Sequence, residues 1–431
     1  MTATNRSLTV SSNGRYLQRP DGTPFFYLAD TAWELFHRLT CEEATEYLKD
    51  RAAKGFTAIQ AVVLAELDGL NTPSANGHRP LIDNDPLKPN EAYFADVDFV
   101  VQQAASLGLF IAMLPTWGDK WKEDAGIGPH IFNPDNARGY GSWLGRRYAN
   151  APIIWVLGGD KMIDTQHEWD TVAAMALGLK DGDGGRHLIS YHPTGQYSSG
   201  SYFHNESWLD FNMIQTGHTR DRDNYNSIAV EYGRVPAKPV IDAEPGYENV
   251  PHAFDAINGR MDAQQCRKFC YWSLFAGAAG HTYGCNDIWQ MRYSSGDGVI
   301  SSDTPWDKAL VFPGSVQVGY ARLLIEGGAY WDRLPDPSLV LPPNPDGPDH
   351  VQACRAPDGR YALIYIPTGK PTTIRAFILQ ARRITTEWFD PRTARFQPVS
   401  PHDIGPWTSV TFTPPSAGDW VLIIKRAHDQ F

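Results

Sequence analysis

One pattern recurs between residues 25 and 286: a short apolar run followed by a longer amphipathic segment. FFYLAD (25–30) precedes CEEATEYLKDRAAKG (41–55), and FTAIQAVVL (56–64) precedes YFADVDFVVQQAASLG (93–108). LFIAMLP (109–115) leads to NARGYGSWLGRRYAN (136–150), and IIWVLGG (153–159) to HEWDTVAAMALGLKDG (167–182). HLISYH (187–192), FNMIQTG (211–217), KPVIDAE (238–244) and GHTYGCN (280–286) follow, with helical spacing near 221–233 and over 262–278. Near-continuous apolar runs of strand length fit a parallel sheet covered on both faces. Eight of them in βα alternation predict a (β/α)8 TIM barrel. A doubly wound open sheet would bring a Gly-rich phosphate loop after an early strand, and neither GxGxxG nor GxxxxGK[ST] is present.

Past residue 335 the texture changes. DPSLVLPPNPDGPDH is a Pro/Asp/Gly linker. HVQACRAP, RYALIYIPT, RAFILQA, ITTEWFDP, SVTFTPP and DWVLIIKR then alternate apolar and polar residues between turn residues. The expected organisation is a catalytic barrel over 1–335 and a small antiparallel β-sandwich over 336–431.

The formal net charge of −11, with Lys and Arg scattered, argues against a nucleic-acid partner. The 14 Trp hint at carbohydrate, because an indole face stacks on the C–H face of a sugar, although a large core also uses Trp as filler. Five Cys without a CxxC read as buried free thiols rather than a disulfide framework or zinc site. The start, MTATNRSLTVSSNGRY, has no apolar stretch of signal-peptide length, and no window reaches the roughly 18 apolar residues of a membrane span. A cytoplasmic protein with no membrane partner is expected.

A barrel of this kind carries its chemistry at the C-terminal ends of the strands, so the strand tips are the residues to read. They are Asp30 with Trp33, Gln60 within strand two, Trp117, Asp160, His192, Gln215 with His218, Glu244, and Tyr283 with Asn286 and Trp289. Asp160 and Glu244 end strands four and seven, which face each other across a barrel mouth. Glycoside hydrolysis asks for two facing carboxyl groups: one protonates the leaving oxygen, and the other attacks the anomeric carbon or activates water. Alternatives stand beside each. Asp160 also suits a helix N-cap, and Glu244 an ion pair. Asp242, two residues before Glu244, shares its side by strand alternation, and Glu248 in PGYENV is the main rival nucleophile. His192, His218 and His281 read as sugar hydrogen-bonders or core histidines. Metal-dependent barrel hydrolases usually carry HxH on strand one, where this chain has Ala-Asp, so neither a metal nor another cofactor is expected.

Six segments in order, DGTPFFYLADTAW (21–33), FTAIQ (56–60), PIIWVLGGD (152–160), WLDFNMIQTGH (208–218), KPVIDAEPGYE (238–248) and GHTYGCNDIWQM (280–291), resemble the apiosidase-like glycoside hydrolases, family 140. In that family a barrel precedes a small β-domain labelled collagen-binding. The resemblance implies a retaining, exo-acting enzyme that releases terminal β-apiofuranose from plant glycosides or pectic side chains. It maps the general acid/base to Asp160 and the nucleophile to Glu244. Trp33, Trp117 and Trp289 would then wall the pocket, while Asp30, Gln60, His192, Gln215, His218, Tyr283 and Asn286 would contact the sugar. A glycosidase for another pentofuranoside and a non-catalytic carbohydrate-binding barrel remain alternatives.

Overall fold

The computed structural model describes residues 7–123, 126–293, 298–379, 381, 383–403 and 409–427. The first six residues, on which the reading of the chain start partly rests, lie outside this set.

Eight parallel strands form one sheet: β1 (Tyr27–Thr31), β2 (Ala58–Leu64), β3 (Phe110–Thr116), β4 (Ile153–Gly158), β5 (Ile189–His192), β6 (Asn212–Ile214), β7 (Val240–Asp242) and β8 (Gly280–Tyr283). Their hydrogen-bonded order is β5-β4-β3-β2-β1-β8-β7-β6. The seam between β5 and β6 is drawn shut by Asp210 N–H donating to Ile189 O (2.8 Å) and Ser190 Oγ donating to Phe211 O (2.7 Å). The result is a TIM barrel.

Outside it pack α1 (Cys41–Ala53), α2 (Glu91–Ser106), α3 (Pro134–Tyr148), α4 (Gln166–Asp183), α5 (Asn224–Tyr232), α6 (Ala263–Phe275) and α7 (Pro313–Gly327). Their starts are chemically marked. Thr40 with Glu43, Asn133 with Asn136, Thr165 with Glu168 and Asp262 with Gln265 form reciprocal caps. Helices α3 and α4, which flank β4, meet at glycines. A Cβ added to Gly141 or Gly145 would stand 2.5 or 2.4 Å from the α4 carbonyls of Met175 or Leu179. That contact holds the supports of β4 at backbone distance. A three-stranded antiparallel sheet (Thr9–Val10, Leu17–Gln18, Pro24–Phe25) sits by the N-terminal ends of the strands, with Phe25 edge-on to Phe110 at 5.1 Å.

The C-terminal region forms a six-stranded antiparallel sheet in the order Leu334–Pro335, Gln352–Arg355, Tyr361–Ile366, Trp420–Arg426, Arg383–Asp390, Arg395–Asp403. A second sheet pairs Thr372–Ile374 with Val410–Phe412. RAFILQA, read as a strand, instead carries a 3-10 turn over Ala376–Leu379. Nor is the alternation one-sided. Ala362, Ile364, Leu422 and Ile424 face the core of this region, whereas Leu363, Tyr365, Val421 and Ile423 join the barrel's core. Both faces are apolar because one of them lies against α6.

That contact combines an aromatic stack with a buried ion pair. Tyr271 stacks on Tyr365 at 5.0 Å, and Arg267 grips Asp419 through two bonds of 2.8 and 2.7 Å. Arg267 and Asp419 are both buried. Removing one partner strands the other charge without water, which costs about 3–5 kcal/mol. Arg267→Ala is therefore expected to lower the denaturation midpoint strongly, and Asp419→Ala in addition should recover part of the loss. Strictly additive losses in that double-mutant cycle would show that the pair is not coupled.

Candidate active site

At the C-terminal ends of the strands lies a cavity of about 110 Å³, lined by side chains that include Trp33, Trp117, Asp160, Gln215, His218, Glu244, Asn286 and Trp289. It is small beside the roughly 300–1,000 Å³ of drug-sized ligand sites. A larger cavity of about 510 Å³ lies at the opposite end, around Leu8, Arg19 and Phe110, far from these carboxyl groups.

Strand β4 delivers Asp160 by an unusual turn. Gly158, Gly159 and Asp160 have φ of 99°, 98° and 61°. Only glycine adopts the first two without strain, and Asp is among the few other residues that tolerate the third. A Cβ on Gly158 would stand 2.3 Å from His192 O, and one on Gly159 2.5 Å from Gly118 N. The glycines thus let the tips of β3, β4 and β5 touch one another. Trp121 Nε1 donating to Gly158 O (2.8 Å) and Gly118 N–H donating to Gly159 O (3.1 Å) pin the turn. Asp160 is not a helix cap, since Thr165 caps α4.

Glu244 arrives by a break in strand alternation. Ala243 N–H and Glu244 N–H both point to Ile214 O, at 2.8 and 3.3 Å, so the chain leaves the β7 ladder just after Asp242. The expectation that Asp242 shares Glu244's side fails for this reason. Asp242 turns toward the helices, where Thr216 Oγ1 (3.0 Å), Asn224 Nδ2 (3.0 Å) and Ser273 Oγ (2.8 Å) donate to it. Glu244 turns into the cavity. His218 Nε2 lies 3.0 Å from its Oε1, and Tyr247 N–H donates to His218 Nδ1 at 3.4 Å, which selects the tautomer with its proton on Nε2. His192 Nε2 stands 3.2 Å from Oε2, near enough for charge but out of line for a hydrogen bond.

The two carboxyl groups differ sharply. Burial, and next the charge of Glu244, push Asp160 up to about 6, against the opposing Lys161, His192 and Gln215. Burial also works against the charge of Glu244, but His192 and His218 outweigh it and hold Glu244 at about 2. Carboxyl groups pushed apart in this way mark an acid and a permanent carboxylate.

Other expected contacts lie elsewhere. Asp30 is fully buried and faces α1, accepting from Tyr47 OH and Arg51 Nε at 2.5 Å each. Tyr283, beside Asp30 in the ladder, faces the same way and donates to Glu248 at 2.6 Å. Glu248 also accepts from Gly314 N at the start of α7, so the rival nucleophile is a structural anchor. Gln60 crosses the barrel interior to Ala243 O (3.0 Å) and supports the chain that carries Glu244 from below. His192 is wholly buried and reaches Glu244 rather than the cavity surface. His281 is a core residue, which burial pushes down to about 3.

The cavity also uses residues that the strand tips did not suggest: Glu66, Tyr247, Val250, Phe254 and Ile300. Glu66 had a signal, being the first charged residue after the run FTAIQAVVLA. Among the described residues no group of three His, Cys, Asp or Glu is arranged to hold a metal ion, and no helix is long and apolar enough to cross a membrane.

A TIM barrel with two differently tuned carboxyl groups in a small Trp-walled cavity is the arrangement of a glycoside hydrolase, and the relatives agree. A solved structure described as "Glycoside hydrolase" is 31% identical over 99% of this chain and 98% of its own, with a TM-score of 0.86. A glycoside hydrolase family 5 structure from Bacteroides vulgatus ATCC 8482 is 30% identical over 99% and 95%, with a TM-score of 0.90. Residues 11–332 match the family model "Apiosidase-like, catalytic domain", and residues 334–425 match "Putative collagen-binding domain of a collagenase". No curated protein matches the chain. The protein belongs to the apiosidase-like family of glycoside hydrolases.

Proposed function

We propose that this glycoside hydrolase is a retaining, exo-acting apiosidase that removes terminal β-apiofuranose from plant glycosides or pectic side chains. The observation that carries the reading is the split between Asp160 and Glu244 inside a cavity of about 110 Å³. A cavity of this size suits one terminal sugar, and the family model supplies the expectation of apiose.

Glu244 suits nucleophilic attack better than activation of water. A general base works best with a pKa near the operating pH, whereas a carboxylate near 2 is a weak base that still bonds to carbon and departs easily afterwards. In the first step a Glu244 oxygen attacks the anomeric carbon as its bond to the aglycone oxygen breaks. Asp160 gives that oxygen its proton. In the second step water passes a proton to Asp160 and attacks the same carbon, releasing Glu244 and the sugar.

The pH profile follows from the same two groups. The acid form of Asp160 is lost as pH rises through about 6, and the carboxylate of Glu244 only as pH falls through about 2. kcat/KM on a poor leaving group should fall tenfold per pH unit above about 6 and stay flat on the acid side as far as the fold survives. A profile flat through pH 8 would remove Asp160 from the acid role. Substrate and stereochemistry are tested together by incubating aryl pentofuranosides and natural apiosides with the enzyme and following the first-formed anomer by proton NMR. Apiose released first with its configuration retained is the expected result. Inversion, or preference for another pentose, would overturn the corresponding part.

A further inference from the structure

Beyond the two carboxyl groups of the mechanism, a third lines the cavity: Glu66, on the loop that follows β2. The backbone on either side of it is tied to buried charged side chains. Lys120 Nζ donates to Ala65 O at 2.8 Å, and Lys120 is itself paired with Asp119 at 2.7 Å. On the other side, Leu67 N–H donates to Glu34 Oε1 at 2.9 Å, while Glu34 Oε2 meets His37 Nδ1 at 2.7 Å. Glu34, Asp119 and Lys120 are all buried. The loop therefore presents residue 66 in a fixed place, yet the Glu66 carboxyl makes no hydrogen bond or ion pair with another described side chain. Two buried anchors around one free polar side chain are how a protein preorganises a ligand contact.

The cavity wall also bears on the ligand's charge. Among the described residues lining it, three are carboxylic acids and none is Lys or Arg. A sugar bearing a carboxylate would meet the charges of Asp160 and Glu244, with no Lys or Arg among the described lining residues to offset them. A neutral sugar offers hydroxyl groups, which both give and accept hydrogen bonds.

We propose that Glu66 is a specificity-determining residue of this site, its carboxyl group hydrogen-bonding hydroxyls of the bound sugar so that the cavity takes a neutral pentose and rejects uronic acids. The proposal rests on the glycosidase reading above but not on apiose being the sugar. Its neighbours support it. The charged groups that act on Glu66 are Glu34, Asp160, Lys161 and Asp119, and burial followed by the Glu34 and Asp160 charges pushes the carboxyl up to about 8 against the pull of Lys161. Glu66 is then protonated at neutral pH and donates as well as accepts.

The test is calorimetric titration of D-apiose, L-arabinose, D-xylose, D-ribose and D-glucuronate into the wild-type enzyme, Glu66→Ala and Glu66→Gln at pH 7. The expected result is that at least one neutral pentose binds the wild type and that Glu66→Ala weakens it about 10- to 100-fold, the worth of one or two lost hydrogen bonds. Glu66→Gln, which also donates and accepts, should stay within a few-fold, and glucuronate should bind neither wild type nor Gln variant. Raising the pH to 9 should weaken pentose binding in the wild type and leave the Gln variant unchanged, a difference that a purely structural role would not produce. Pentose affinity unchanged in Glu66→Ala, with the protein folded, overturns the proposal alone. Absence of binding by every sugar overturns it together with the sugar-pocket reading, while binding of a pentose other than apiose changes only the identity of the substrate.

Discussion

Glu244→Gln is expected to lower kcat on an aryl glycoside by four orders of magnitude or more, the scale of removing a covalent nucleophile. Thermal unfolding should be nearly unchanged, because the amide matches the carboxyl in shape and its oxygen still accepts from His218 Nε2, now 3.0 Å from Oε1. The size of the effect follows from what the site invests in this one charge. Two imidazoles, the tautomer selected by Tyr247 N–H, and the Gln60 prop beneath Ala243 all serve to hold a buried carboxylate at the cavity wall. An amide cannot form the glycosyl-enzyme bond. Rates within tenfold of wild type would remove Glu244 from the role and return the question to the other carboxyl groups of the cavity.

Asp160→Ala should separate substrates by their leaving groups. With an alkyl or sugar aglycone the departing oxygen needs its proton, and the loss should reach about 10²- to 10⁴-fold, the usual worth of general acid catalysis. With a nitrophenol-type aglycone the first step needs little help, and the loss falls on the second step, where Asp160 deprotonates water. Azide, which needs no base, should then restore turnover and yield a glycosyl azide of retained configuration. Alanine at φ 61° carries about 1–2 kcal/mol of backbone strain, so Asp160→Asn, which tolerates that conformation, is the companion variant. An equal loss on both leaving groups, with no azide product, would argue against the assignment.

The barrel was legible because both faces of each strand are covered, which leaves apolar runs of strand length at regular spacing. Asp160 and Glu244 were legible as the polar residues ending two of those runs. Several neighbours misled for a common reason. At a strand tip, a side chain's direction depends on where the chain leaves the hydrogen-bonded ladder. Asp30 and Tyr283 are still in register within β1 and β8 and point outward to the helix layer. Gln60 lies too deep in β2 to reach the cavity, and Glu66, six residues later, does reach it. Phe254 and Ile300 come from loops far along the chain, with no periodicity to announce them.

What the sequence alone determined is the class of fold and the chemistry on offer: apolar period, cap residues, and carboxyl groups placed after strands four and seven. Those are local properties, set by side-chain polarity and by a few residues on either side. The tertiary structure decided how each carboxyl group is held. Asp242 and Glu244 are two residues apart, yet one is held by Asn224 and Ser273 among the helices and the other by His192 and His218 in the cavity. A carboxyl group's protonation is set by burial and by charges within a few ångströms, and those neighbours come from the end of β5 and the segment after β6. No local pattern carries that information.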